Sequence, residues 1–122
     1  MERAGDAIFL TTPDAKIVDV NDAACKMLGY SREELLLLHV YDIDPKFPRD
    51  SWPAHWQELR AKGTLSFETQ QVTRGGLKFS TETTVNYLQF AGREYHCAIM
   101  RDIRSVPLAA AHGTIRRTGL AG

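Results

Sequence analysis

Three features of the sequence predict an α+β domain built on a five-stranded antiparallel sheet. Residues 7–10 and 17–20 are short runs of β-branched and apolar residues. The turn Pro13-Asp14-Ala15 between them has no room for a crossover helix, so the two runs form a hairpin. From Thr64 onward the hydrophobic period is two, interrupted at Arg74-Gly75-Gly76 and Ala91-Gly92, so residues 65–73, 77–90 and 93–103 form a three-stranded meander. Between the two strand groups lie capped helical stretches, which gives the order ββααα-βββ and a sheet with short helices on one face.

The first helix starts at Asn21, whose side chain suits an N-cap, and Gly29 sits where a left-handed residue would end it. Ser31 and Glu34 match a capping box at the start of a second helix, and the leucines at 35–38 are expected to make it short and largely buried. Residues 39–47 carry Asp42, Asp44 and Pro45 and read as loop or a single turn. A third helix starts near Asp50 or Ser51, with Pro53 in its first turn, where a missing N–H costs nothing. Trp52, Trp56 and Leu59 recur on one face of it, Glu58 and Lys62 pair on the other, and Gly63 stops it.

A chain of 122 residues forms one domain with a core of its own, and 43% hydrophobic with 25% charged residues is ordinary for a globular protein. The 15 basic and 15 acidic residues cancel, which removes any general electrostatic case for nucleic acid or an anionic membrane. No apolar run reaches the roughly 18 residues needed to span a bilayer, and no signal-peptide pattern opens the chain, so membrane contact is not expected and a cytoplasmic location is. Cys25 and Cys97 show no CxxC spacing and read as reduced, buried thiols.

The strings AIFLTTPDAKIVDVNDAACKMLGYSREEL, GTLSFETQQVTRGGLKF and GREYHCAIMRDI, in this order, resemble a PAS domain with its C-terminal PAC portion. The resemblance implies a sheet in spatial order 2-1-5-4-3, a sensor domain at residues 5–103, an N-terminal arm at 1–4 and a flexible tail or truncated linker at 104–122. The DIDP, WPAHW and LRAKG strings are similar to sensor modules of bacterial histidine kinases and diguanylate cyclases, which implies signalling, homodimers and an effector domain in the same polypeptide.

The same resemblance selects one of the two strand parities as inward. Phe67, Thr69 and Gln71 on the third strand, Phe79, Thr81, Thr83 and Val85 on the fourth, and His96, Ala98 and Met100 on the fifth then face the ligand side, with Trp56 as a helical lid. So polar a face implies a small polar or carboxylate-bearing ligand, because a buried hydroxyl or amide without a partner costs about 1–3 kcal/mol. Tyr95, Cys97 and Ile99 face outward and, with Asp102, are assigned to dimerisation or signal output. A ligand-free dimerisation or interaction module is the alternative.

The cofactor stays open. His55 lies on the helix that supplies the axial histidine in some haem-binding PAS domains, yet it stands between two tryptophans, and a place at the surface or core edge outweighs a ligand role. The Asn-Cys-Arg stretch of light-sensing LOV domains has no counterpart, which leaves only non-covalent flavin stacked on Trp52 or Trp56. Neither a metal-ligand spacing nor a nucleophile and base pair is present in the sequence, so the domain is not expected to be an enzyme.

Overall fold

The structure, a computed structural model, describes residues 5–103; the arm expected at 1–4 and the tail expected at 104–122 lie outside the described residues. Its elements are β1 (Ala7–Thr11), β2 (Ile17–Val20), α1 (Asp22–Leu28), α2 (Arg32–Leu35), α3 (Trp52–Lys62), β3 (Thr64–Val72), β4 (Lys78–Phe90) and β5 (Arg93–Asp102). Single 3-10 turns at Val40–Asp42 and Arg49–Ser51 interrupt the long connection before α3. The five strands are all antiparallel, in the order β2-β1-β5-β4-β3. No helix among the described residues is long and apolar enough to cross a membrane.

The hairpin and α1 are locked together by one side chain. Asn21 Oδ1 accepts the Ala24 amide at 3.0 Å as the α1 N-cap and the Ile8 amide at 3.0 Å from β1, while its Nδ2 donates to the Asp6 carbonyl at 2.9 Å. Gly29 then ends α1 with φ of 79°, a left-handed conformation that glycine adopts without a Cβ penalty. The capping box of Ser31 and Glu34 forms in both directions and starts α2. That helix is shorter than the leucine run implies. It ends at Leu35, which is fully buried, whereas Leu37 is 77% exposed. The chain leaves the helix because Leu38 is taken up by β2, its carbonyl accepting the Ile17 amide at 3.1 Å.

From there the connection acts as a strap across the sheet. At the β2 side the Val40 amide donates to the Ala15 carbonyl at 2.9 Å, and at the opposite edge the Val72 amide of β3 donates to the Ile43 carbonyl at 2.9 Å. Since β2 and β3 are the two outermost strands, a stretch as short as Val40 to Ile43 reaches both only if the sheet curls around the face it crosses. The strap also gives partners to edge groups that would otherwise invite further strand pairing.

The core lies between this concave face and the helices. Phe9, Ile17, Leu28, Leu35, Ile43, Leu59 and Val85 are all essentially inaccessible to solvent. α3 contributes Trp52, Trp56 and Leu59, as the helical spacing predicts, and Trp52 Nε1 donates to the Pro13 carbonyl at 2.7 Å, which ties the helix start to the β1–β2 turn. Each large side chain withdrawn from water in this way contributes about 2 kcal/mol.

Candidate functional site

The strand period places the polar residues of β3, β4 and β5 on the concave face. Thr69 lies opposite Thr81, Thr83 opposite Met100, and Ala98 opposite both Phe9 and Val85. Thr69, Gln71, Thr81, Thr83, His96, Ala98 and Met100 are buried there, and Phe67 is half-buried at the same face.

The strap, the stretch expected to be loop or a single turn, adds a carboxylate to this face. Asp44 is only 2% exposed, and its carboxylate accepts from Thr69 Oγ1 at 3.0 Å to each oxygen, from Gln71 Nε2 at 3.2 Å and from the Lys46 amide at 2.8 Å. Burial raises its pKa above the usual carboxylate range, opposed by those hydrogen bonds. Asp42, two residues earlier, remains exposed and accepts the His39 amide at 2.8 Å. Gln71 Oε1, at the far side of the same amide, has no hydrogen-bond donor although it is buried.

A second polar unit sits beside α3. His55 Nε2 and His96 Nε2 are 3.0 Å apart, both rings are buried, and one ring must donate to the other. Desolvation keeps both neutral: it lowers the His55 pKa and, helped by the neighbouring His55, lowers that of His96 to about 3. His96 Nδ1 has no partner. Thr81 Oγ1 and Thr83 Oγ1, on the same face, are hydrogen-bonded to each other at 3.2 Å.

Aromatic rings wall this face. Phe47 lies 4.5 Å from His55 and 5.4 Å from Phe67, and Trp52 lies 5.1 Å from His55 and 4.8 Å from His96, centroid to centroid. Two expectations change here. His55 belongs to the interior rather than to the surface or core edge. The α3 rings that meet His96 are Trp52 and His55, while Trp56, the expected lid, packs one turn further on against Tyr87 at 5.9 Å. Spacing along α3 placed both tryptophans on the buried face, but a histidine one residue before Trp56 carries no apolar signal that would have put it there.

The ring packing also bears on cofactors. His55 Nε2 is engaged by His96 and its ring packs among Phe47, Trp52 and Phe67, surroundings that do not fit an axial haem ligand. Trp52 and Trp56 are likewise occupied by His96 and Tyr87, so the arrangement does not fit a stacked isoalloxazine ring. Among the described residues no group of three or more His, Cys, Asp or Glu is placed to hold a metal ion.

On the outer face of β5, Tyr95, Cys97 and Ile99 are half-buried, and Asp102 borders a groove with Gly5, Asn21 and Lys26. Cys25 and Cys97 form no disulfide among the described residues and are half-buried rather than fully buried.

A PAS domain family model matches residues 5–105. The chain belongs to the PAS domain family. Its curated relatives are sensors. It is 28% identical over 103 residues to the methyl sulfide methyltransferase-associated sensor of Methanosarcina acetivorans, covering 84% of this chain and 10% of that protein. It is 30% identical over 104 residues to the oxygen sensor protein DosP of Escherichia coli, covering 79% of this chain and 12% of that protein. The chain thus spans about a tenth of the length of the curated relatives it matches. Among solved structures it is similar to the PAS domain of a two-component sensor histidine kinase, with 32% identity and a TM-score of 0.71 over 83% of this chain and 87% of that one. It is also similar to the PAS domain of an HTR-like protein from Haloarcula marismortui, with 26% identity and a TM-score of 0.76 over 83% and 84%. The strand order and the elements that border the concave face are those of a PAS sensor domain.

Proposed function

We propose that this PAS domain is the sensory module of a larger signalling protein. In this reading it binds a small polar ligand at the concave face and passes a shift in strand and strap position to an effector in the same polypeptide, such as a histidine kinase or a diguanylate cyclase. Phe67, Thr69, Gln71, Thr81, Thr83, His96, Ala98 and Met100 border the ligand, together with Asp44, Trp52 and His55, and Trp56 backs them one turn further along α3. The domain senses and does not catalyse. Its two free cysteines suit the reducing cytoplasm.

The observation that carries this reading is the polarity of the buried face. Five buried polar side chains from three strands meet a buried carboxylate and a second buried histidine, and two of their atoms, Gln71 Oε1 and His96 Nδ1, have no partner. Each such atom costs about 1–3 kcal/mol in a folded protein, a cost that a plain apolar core would not carry and that a bound ligand removes. A ligand shifts the output only through its different affinity for two arrangements of the domain. The strap touches both sheet edges and carries Asp44, so it supplies an element through which such a difference can act. A thermal-shift screen of small polar metabolites is the test: the expected result is a melting temperature that rises saturably with at least one compound, and a flat response across the screen contradicts it.

A second reading, a ligand-free homodimer, draws on the outer face, where Ile8, Leu10, Val20 and Cys97 line a groove beside Ile99 and Tyr95. Sedimentation tests it: a self-associating chain that Ile99→Glu converts to monomer supports this reading, and a strict monomer at high concentration ends it.

A further inference from the structure

We propose that the ligand class of this site is a small protonated amine, its ammonium group held between the Asp44 carboxylate and Gln71 Oε1 against the rings of Phe47 and Phe67. This inference rests on the sensor reading above and deepens it.

The first argument is the sign of the interior. Among the described residues the buried ionisable side chains are Asp44, His55 and His96, and no lysine or arginine is buried. The two histidines are neutral donors and acceptors to one another. Asp44 takes part in no salt bridge among the described residues, and its donors, the Thr69 hydroxyl, the Gln71 amide and the Lys46 and Phe47 backbone amides, are neutral. A carboxylate ligand would therefore meet an acid and no cation, which excludes the carboxylate-bearing class that strand polarity alone allowed.

The second argument is the unmet acceptor. Gln71 directs its Nε2 to Asp44, so its Oε1, on the same amide carbon, sits a short distance from the carboxylate with nothing to accept from. Two neighbouring acceptors, one of them charged, call for a group with several donors and a positive charge. A neutral alcohol would satisfy Gln71 and leave the charge unmatched; an ammonium satisfies both. Across the ladder, Thr81 faces Thr69 and offers a further hydroxyl oxygen.

The third argument is the wall. The Phe47 amide donates to the Asp44 carbonyl, so the strap that carries the carboxylate also carries an aromatic ring, and that ring meets Phe67 on the strand just before Thr69. Aromatic faces beside a carboxylate favour cations. Pro45, Lys46 and Pro48 on either side of Phe47 are exposed, which puts this stretch of the strap at the surface.

The test follows amide chemical shifts and melting temperature of this chain during titration with methylammonium, ethanolamine and putrescine, in parallel with propionate, succinate and ethylene glycol. The expected result is saturable shifts at Thr69, Gln71 and Thr81 with at least one amine and with neither carboxylate. Asp44→Asn is expected to weaken that binding by about tenfold or more, the loss of a charged hydrogen-bond partner. If Asp44→Asn does not fold, Gln71→Met keeps the carboxylate and removes the second acceptor, with an expected loss of about fivefold. Binding of a carboxylate or the diol at these residues without any amine overturns the inference and leaves the sensor reading standing. Amine binding that neither substitution weakens also overturns it. No shift at the concave face with any of the six compounds overturns the inference and counts against the sensor reading as well.

Discussion

His96 and Asp44 illustrate how burial sets the behaviour of single side chains in this domain, and their pH responses have opposite signs. His55 and His96 are held neutral in the fold, with pKa values lowered from the usual value of about 6.5. Below that pH the unfolded chain takes up protons that the folded chain refuses, so their stabilisation is present above about pH 6.5 and is lost as the pH falls toward the folded value of about 3 at His96. The Asp44 pKa is raised instead, so its contribution is present at low pH and is lost as the pH rises through the folded value, which offsets part of the histidine effect in acid. Glu58 acts on His55 against the lowering. Urea denaturation from pH 7.5 to 5.5 is expected to show falling stability, at up to about 1.4 kcal/mol per pH unit for each histidine, and a shallower slope in His96→Gln. An equal slope in the variant would contradict the assignment. Of the residues involved, His96 was legible once the PAS resemblance had chosen between the two parities that alternation in β5 allows. Asp44 was not. Asp42 and Asp44 look alike in the sequence, and only the 3-10 turn at Val40–Asp42, which uses Asp42 to hold the His39 amide, turns the second acid inward.

The elements were legible where local rules and packing agree. Strands β3 to β5 alternate along their central residues, and α1 and α2 start at the residues that their caps predict. They were illegible where a tertiary partner overrides propensity, as at Leu36 to Leu38, a good helical run that leaves the helix to bond Ile17. Asn21 joins two elements through one side chain, since it caps α1 and also holds Ile8 and Asp6 at β1. Asn21→Ala is expected to cost about 2–3 kcal/mol in chemical denaturation, more than a simple cap, with a fall in the midpoint and an unchanged slope. A loss under about 0.5 kcal/mol would show that the bonds to β1 add nothing.

Taken whole, the molecule is a curled sheet whose two outer strands are tied by one strap and whose interior is acidic and hydroxyl-rich under a net charge of zero. The surface balance says nothing about that interior, so the composition that removes a general electrostatic case for nucleic acid gives no indication of what the concave face would bind. The proposed function links ligand entry, strap movement and output in one chain of consequence, because the strap holds Asp44 and contacts both sheet edges. The measurement that bears most directly on this account is an amide chemical-shift map of the chain with whichever compound raises its melting temperature. The account predicts saturable shifts at Thr69, Gln71, Thr81, Thr83 and His96, extending along the strap to Val40 and Ile43, with Ser66 and Thr84 on the outer face unmoved. Shifts confined to the outer face, with the concave face silent, would contradict it.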